Sequence, residues 1–143
     1  MVSARVAINL RARDVSRAYS DAVTALDVVD STLASMRTTQ SRTPAVDSAI
    51  AEVATIATAL RQRARGNSIT SGIGRLFDLT AAIESSSLPP TEMQQRSIEA
   101  SVAEFADIVA KVNDVVANKM PGLRIRMGQP SSPGVTAVRP PSR

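Results

Sequence analysis

The sequence predicts an all-α protein: an antiparallel up-down four-helix bundle with a shorter third helix and a disordered C-terminal tail. Three observations predict it. Apolar residues recur at alternating steps of four and three over long stretches, most clearly at Ile98, Val102, Phe105, Val109, Val112 and Val116 between Pro90 and Pro121. That spacing lays one apolar seam along a helix. Helix start and stop signals stand between the stretches, at Thr43-Pro44, Gly66-Asn67 and Thr91-Glu92-Met93-Gln94. The segments joining them are polar and about four to six residues long, too short for a crossover along the bundle.

The chain has 143 residues, enough for one domain with its own core. Its aromatic residues are Tyr19, Phe77 and Phe105, and Ala and Val take their place. Small side chains let helices approach closely. The chain has no Cys, which excludes disulfides and thiolate chemistry. It has no His, which removes the commonest general base and metal ligand. The net charge of +4 comes from the tail: Arg124, Arg126, Arg139 and Arg143 have no acidic counterpart there, whereas residues 1–120 balance. No apolar run approaches the ~18 residues of a membrane span. Arg11, Arg13 and Asp14 interrupt anything resembling a secretory signal.

In chain order, Val6, Ile8 and Leu10 alternate with Ala7 and Asn9, so residues 1–13 read as an extended lead-in or strand remnant. The bundle is expected over 14–127. Helix one runs from about Asp14, a plausible N-cap, to about Thr38. Its seam is Val15, Tyr19, Ala22, Val23, Leu26, Val29, Leu33 and Met36. Helix two begins at Thr43-Pro44 and carries Val46, Ile50, Val53, Ala57, Leu60 and Ala64, with Arg61, Arg63 and Arg65 at its negative end. Helix three spans about Ser71 to Ser86, with Ile73, Leu76, Phe77, Thr80 and Ile83 on one face. Helix four opens with a Thr91–Gln94 capping box and closes at Met120-Pro121. Leu123, Ile125 and Met127 could fold back briefly onto the bundle. Residues 128–143, rich in Gly, Ser and Pro, read as disordered.

Candidate chemistry meets a plainer reading at each point. Asp27 and Asp30 could converge on a cation, but without His or a facing carboxylate motif they read as a solvated face. Glu99, Glu104, Asp107 and Asp114 read the same way. Ser71-Gly72-Ile73-Gly74 before a helix has the look of a phosphate loop, yet lacks the third glycine, the lysine and a preceding strand. Small residues for close packing explain it better. Arg61, Arg63, Arg65 and Arg75 surround one connector and could meet an anion; helix-dipole complementation explains them more simply. No serine has the base partner that nucleophilic catalysis requires. Tyr19 belongs to the core. Nucleic-acid binding is disfavoured, because stacking aromatics are missing and the basic excess lies in the tail. No catalytic, cofactor-binding or metal-ligating residue is assigned.

Ile73-Gly74-Arg75-Leu76-Phe77-Asp78-Leu79, then Ile83 through Thr91, then a long helix with Phe105, Asn113 and a closing Pro121, resembles a known region. It is the helical region at the C-terminal end of bacterial sialidase-like BNR-repeat proteins, also described as sortilin-type propeller or glycosyl hydrolase proteins. The resemblance covers about half of the chain, from Arg61 to Met127. It implies a detached or truncated helical module that packs beside a β-propeller, with residues 4–10 as a remnant of the strand or linker leaving it. Propeller repeats and their Asp-box signatures are absent here, so no catalytic residue is carried over. The expectation is a non-enzymatic interaction or packing module, with a propeller domain or a second copy as partner. A free-standing oligomerising scaffold and a weak anion- or nucleic-acid-binding bundle are the alternatives.

Overall fold

The computed structural model describes residues 3–39, 42–66, 71–128 and 137–142. The expected all-helical bundle with a short third helix is what the chain adopts. Helix α1 spans Ala4–Arg37, α2 Pro44–Arg65, α3 Gly72–Ser85 and α4 Glu92–Asp114. A π-helical turn, Val115–Lys119, joins α4 to α5, Met120–Arg126.

Local signals set most boundaries. The Thr43 hydroxyl accepts from the Val46 N–H at 3.2 Å, with Pro44 in the first turn where its missing N–H leaves no bond unmade. At Thr91 the capping box closes in both directions: Gln94 N–H donates to the Thr91 hydroxyl at 3.1 Å, and Thr91 N–H donates to the Gln94 side-chain oxygen at 2.9 Å.

Two boundaries differ from expectation. Residues 4–13 are helical, not extended, and the N-cap is Ser3, whose hydroxyl accepts from the Val6 N–H at 3.2 Å. Asp14 lies well inside α1. The seam explains this. Ile8, Ala12 and Val15 continue the helical period upstream and are buried, whereas Val6 and Leu10, two of the three apolar residues of the apparent strand, are exposed. The bundle therefore begins ten residues before the expected position 14. At the other end the helix does not stop at Pro121. The π turn precedes the proline, and the Met120 N–H bonds to Val115 O, five residues back. Widening the helix there accommodates a residue that cannot donate and whose ring crowds the preceding turn. It also adds one residue to the seam. Val112 and Val115 are buried, the next buried positions are Met120 and Leu123, and Val116 is displaced to the margin of the core. Ile125, expected to fold back, is 74% exposed.

Cross-helix contacts fix the topology. Arg5 donates to Ser86 O and Leu88 O, Arg11 meets Glu99 at 3.7 Å, and Tyr19 stands edge-on to Phe105 with centroids 6.2 Å apart. The partners advance together along both stretches of sequence, so α1 and α4 run parallel. Helix α2 opposes α4: Arg63 reaches Asp107, while Ala49 and Val53 share a hollow with Asn118 and Leu123 farther along. Helix α3 ends beside the start of α1. Helices α2 and α3 therefore descend in series against the two ascending helices, and the alternation of direction is between rods.

The end of α2 and the start of α3 lie against each other, backbone to backbone. Gly66 and Gly72 have φ of 57° and 73°, and a Cβ on Gly66 would lie 2.3 Å from Ser71 O. A Cβ on Gly72 would lie 2.6 Å from Arg65 O. Both the positive φ and the backbone contact require glycine.

The core is long and thin. Ala12, Ala18, Ala22 and Ala25 line the buried face of α1, and Phe105 is fully buried opposite them on α4. Phe77, expected on the inner face of α3, is 55% exposed.

Substitution of the glycines should separate these environments. Gly72→Ala should lower stability by more than ~1 kcal/mol, since it adds a clash to an unfavourable φ. Gly122, a helical position with open space around it, should tolerate Ala and gain about 0.5–1 kcal/mol. Thermal denaturation of the two variants measures both signs.

Candidate functional site

Most of the charged groups that sequence reasoning raised as candidates are brought together with opposite charges. Asp27 and Asp30 do converge on a cation, but it is the Arg61 guanidinium, at 2.9 and 2.8 Å. Arg63 meets Asp107 at 2.6 Å, and Lys111 meets the same carboxylate at 3.1 Å. These two cations hold the Asp107 carboxyl below its ordinary range, through hydrogen bonds from Arg63 first and then Lys111. Arg75 donates to the Ser97 hydroxyl at 3.2 Å. Asp114 meets Lys119 at 3.7 Å, and Glu99 faces Arg11. Ser71-Gly72 sits where two backbone segments touch, the packing role favoured above. Tyr19 packs on the core against Phe105. Among the described residues, no group of acidic side chains could hold a metal ion.

The arrangement with the most convergent polar geometry was not assigned from sequence. It lies across α1 and α4 and holds residues 137–142, part of the tail expected to be disordered. The rest of that expectation, residues 129–136 and 143, lies outside the described residues. Asn113 on α4 brackets Val138: its side-chain N–H donates to Val138 O at 2.9 Å, and its oxygen accepts from Val138 N–H at 2.8 Å. Arg17 on α1 donates to Arg139 O at 3.0 Å and to Pro140 O at 3.2 Å. Asp14, one turn below, accepts from Ser142 N–H at 2.5 Å. All five bonds go to main-chain atoms of the segment.

The cradle is itself braced. Arg17 Nε donates to Asp14 at 3.0 Å and Nη1 donates to Asp21 at 3.1 Å, so the guanidinium is fixed before it meets the segment. Val138 and Pro141 are buried, and Arg139 and Pro140 between them are exposed. A three-residue spacing is the period that a polyproline-type chain presents to one side. Pro140 and Pro141 have no N–H to satisfy, which lightens the demand on the groove.

Asp14 is the titrating member. Its carboxyl is lowered from 3.8, chiefly by the Ser142 backbone N–H, against an opposing effect of burial and with further help from Arg17. The sequence signal for this site was faint. Asn113 is a poor helix former beside the seam residue Val112, and Val138 and Pro141 are three apart in a run of prolines.

No family model matches the chain, and no curated protein or solved structure shows significant similarity to it.

Two measurements probe the cradle. Asn113→Ala removes both bonds to Val138, so the Val138 amide should lose hydrogen-exchange protection while Phe105 and its neighbours keep theirs. A carboxylate with a depressed folded pKa contributes stability that is present above its unfolded pKa and lost as pH falls through the folded one. Docking of the segment should therefore be constant near neutrality and weaken progressively below about pH 3.8, the ordinary aspartate value. The Ser142 amide resonance reports it, and Asp14→Asn should flatten that dependence.

Proposed function

We propose that the chain is a non-catalytic helical interaction module, whose bundle holds extended polypeptide and does not transform a small molecule. The observation that carries this is the cradle of Asp14, Arg17 and Asn113, which bonds main-chain atoms of an extended segment. Side chains that address backbone groups are suited to peptide recognition. Catalysis finds less support. The hollow between α2 and α5 is lined by Glu52, Lys119, Asn118 and Arg126, a mixed-charge set without a second carboxylate to divide acid and base roles. Arg61 and Arg63, the cations best placed to meet a phosphate polymer, are engaged by aspartates. Among the described residues no helix is long and apolar enough to cross a membrane.

The resemblance to the helical region of sialidase-like BNR-repeat proteins accords with this proposal, because reacting groups in such proteins would lie in a propeller this chain does not contain. A β-propeller domain is then one partner class.

A self-associating scaffold is the second reading. Val6 and Leu10 favour it: one helical turn apart on α1, they are 49% and 55% exposed.

The purified chain should hydrolyse neither a sialoside nor an aryl glycoside, and turnover that survives repurification would refute the module reading. Light scattering at micromolar concentration should find a monomer. A stable dimer abolished by changing Val6 and Leu10 to Ser would favour the scaffold instead.

A further inference from the structure

The tail is held by contacts that do not depend on its belonging to the same chain. Each of the five bonds runs from a side chain of α1 or α4 to a main-chain atom of residues 138–142. The side chains of the segment contribute two buried positions, Val138 and Pro141, and lesser polar contacts to Asp14 from the Arg139 guanidinium at 4.0 Å and the Ser142 hydroxyl. The groove thus demands little of its occupant: an extended conformation, an apolar residue with a free N–H, and a proline three positions later. Every copy of the chain carries both the groove and a segment meeting that demand.

We propose that the groove between α1 and α4 is a transferable peptide-binding site for extended Val-Xaa-Xaa-Pro sequence, and that its occupant in trans is residues 138–142 of a second copy. The inference rests on the interaction-module reading and names its ligand. Eight residues, 129–136, separate Gly128 from Ala137. Extended, such a span reaches about 30 Å, which can deliver the segment to its own groove or to one on a neighbouring molecule. Tethering favours the chain's own groove, because a short covalent link presents the segment at an effective concentration on the order of millimolar. At low concentration the segment therefore closes its own site. Exchange between copies becomes competitive when concentration approaches that value, or when one groove is vacated.

Domain exchange of this kind makes no new contacts, so it can be tested by complementation with full-length chains. One variant carries Val138→Asp and Pro141→Asp, which leaves its groove intact and its own segment unable to fill it. The other carries Asn113→Ala, which leaves its segment intact and impairs its groove. Circular dichroism establishes that each is folded. Each alone should sediment as a monomer. Mixed, they should form a 1:1 pair whose population rises with concentration, and the pair should be absent when both partners carry Asn113→Ala. Two folded monomers that fail to associate up to about 1 mM would overturn the proposal.

If either variant does not fold, the wild-type chain gives an independent reading. A synthetic peptide with the sequence of residues 137–143 is titrated into it while the Ser142 amide of the protein is followed. Millimolar peptide should displace about half of the resident segment, and an unchanged Ser142 resonance would overturn the proposal. Binding of the same peptide to the variant with the disabled segment should weaken about tenfold or more when Asn113→Ala is added, as expected for losing two neutral hydrogen bonds. Binding that ignores Asn113 would place the peptide elsewhere and end the assignment. The two levels fail separately. Glycosidase turnover would refute the module reading whatever the mixing result, and failed mixing leaves a module that binds through another face.

Discussion

Two long helices lie side by side in the same direction, and the rest of the fold follows from that. Helix α1 has 34 residues, about 51 Å, and the rod from Glu92 to Arg126 is about the same length. A parallel pair obliges the chain to return the full length between them. Helices α2 and α3 make that return in series, with 22 and 14 residues. The division falls at Gly66 and Gly72, where the backbone touches itself. The described tail residues run back as well, from Asn113 towards Asp14. Ala18 and Ala22 on one rod and Phe105 on the other let the parallel pair approach closely while still filling its interior.

How much of this was legible depended on how far the deciding contact lies from the residue. Thr43-Pro44, Thr91 with Gln94, and Gly66 act within a few residues, and all three marked their boundaries. Val6, Ile8 and Leu10 misled because a period of two and a period of 3.6 share positions over so short a run. Only the seam from Ile8 through Ala12 to Val15 separates them. Pro121 read as a stop on good local grounds. The chain passes through it because Met120 and Leu123 gain burial beyond it, and a π turn lets them reach the core. Short connectors suggested a reversal at every step, but a short connector permits continuation equally, and α3 continues the direction of α2.

The candidate site was less legible still. Asp14 and Ser142 are 128 positions apart, and Asn113 and Val138 are 25 apart. Composition marked the tail as disordered because Gly, Ser and Pro do not build a core of their own. That argument holds for a segment alone in water. It does not consider a segment that borrows its hydrogen bonds from a folded surface, which is what Val138 to Ser142 does.

A helical surface is an unpromising place for an extended chain. The helix has already used its own N–H and C=O groups, so it has no ladder to offer. Polar atoms of a docked segment must then find side chains. An asparagine amide is well matched to this task, with a donor and an acceptor side by side that can meet the C=O and N–H of a single residue. Asn113 uses both on one residue. An arginine fork offers two parallel donors, and Arg17 places them on successive carbonyls. What remains are the segment's N–H groups, and Pro140 and Pro141 remove two of them outright. The prolines that make the tail look disordered thus lower the number of partners it needs to dock on a helix pair. The same residues argue for disorder in isolation and for order in the groove; the side chains at Asp14, Arg17 and Asn113 decide between the two.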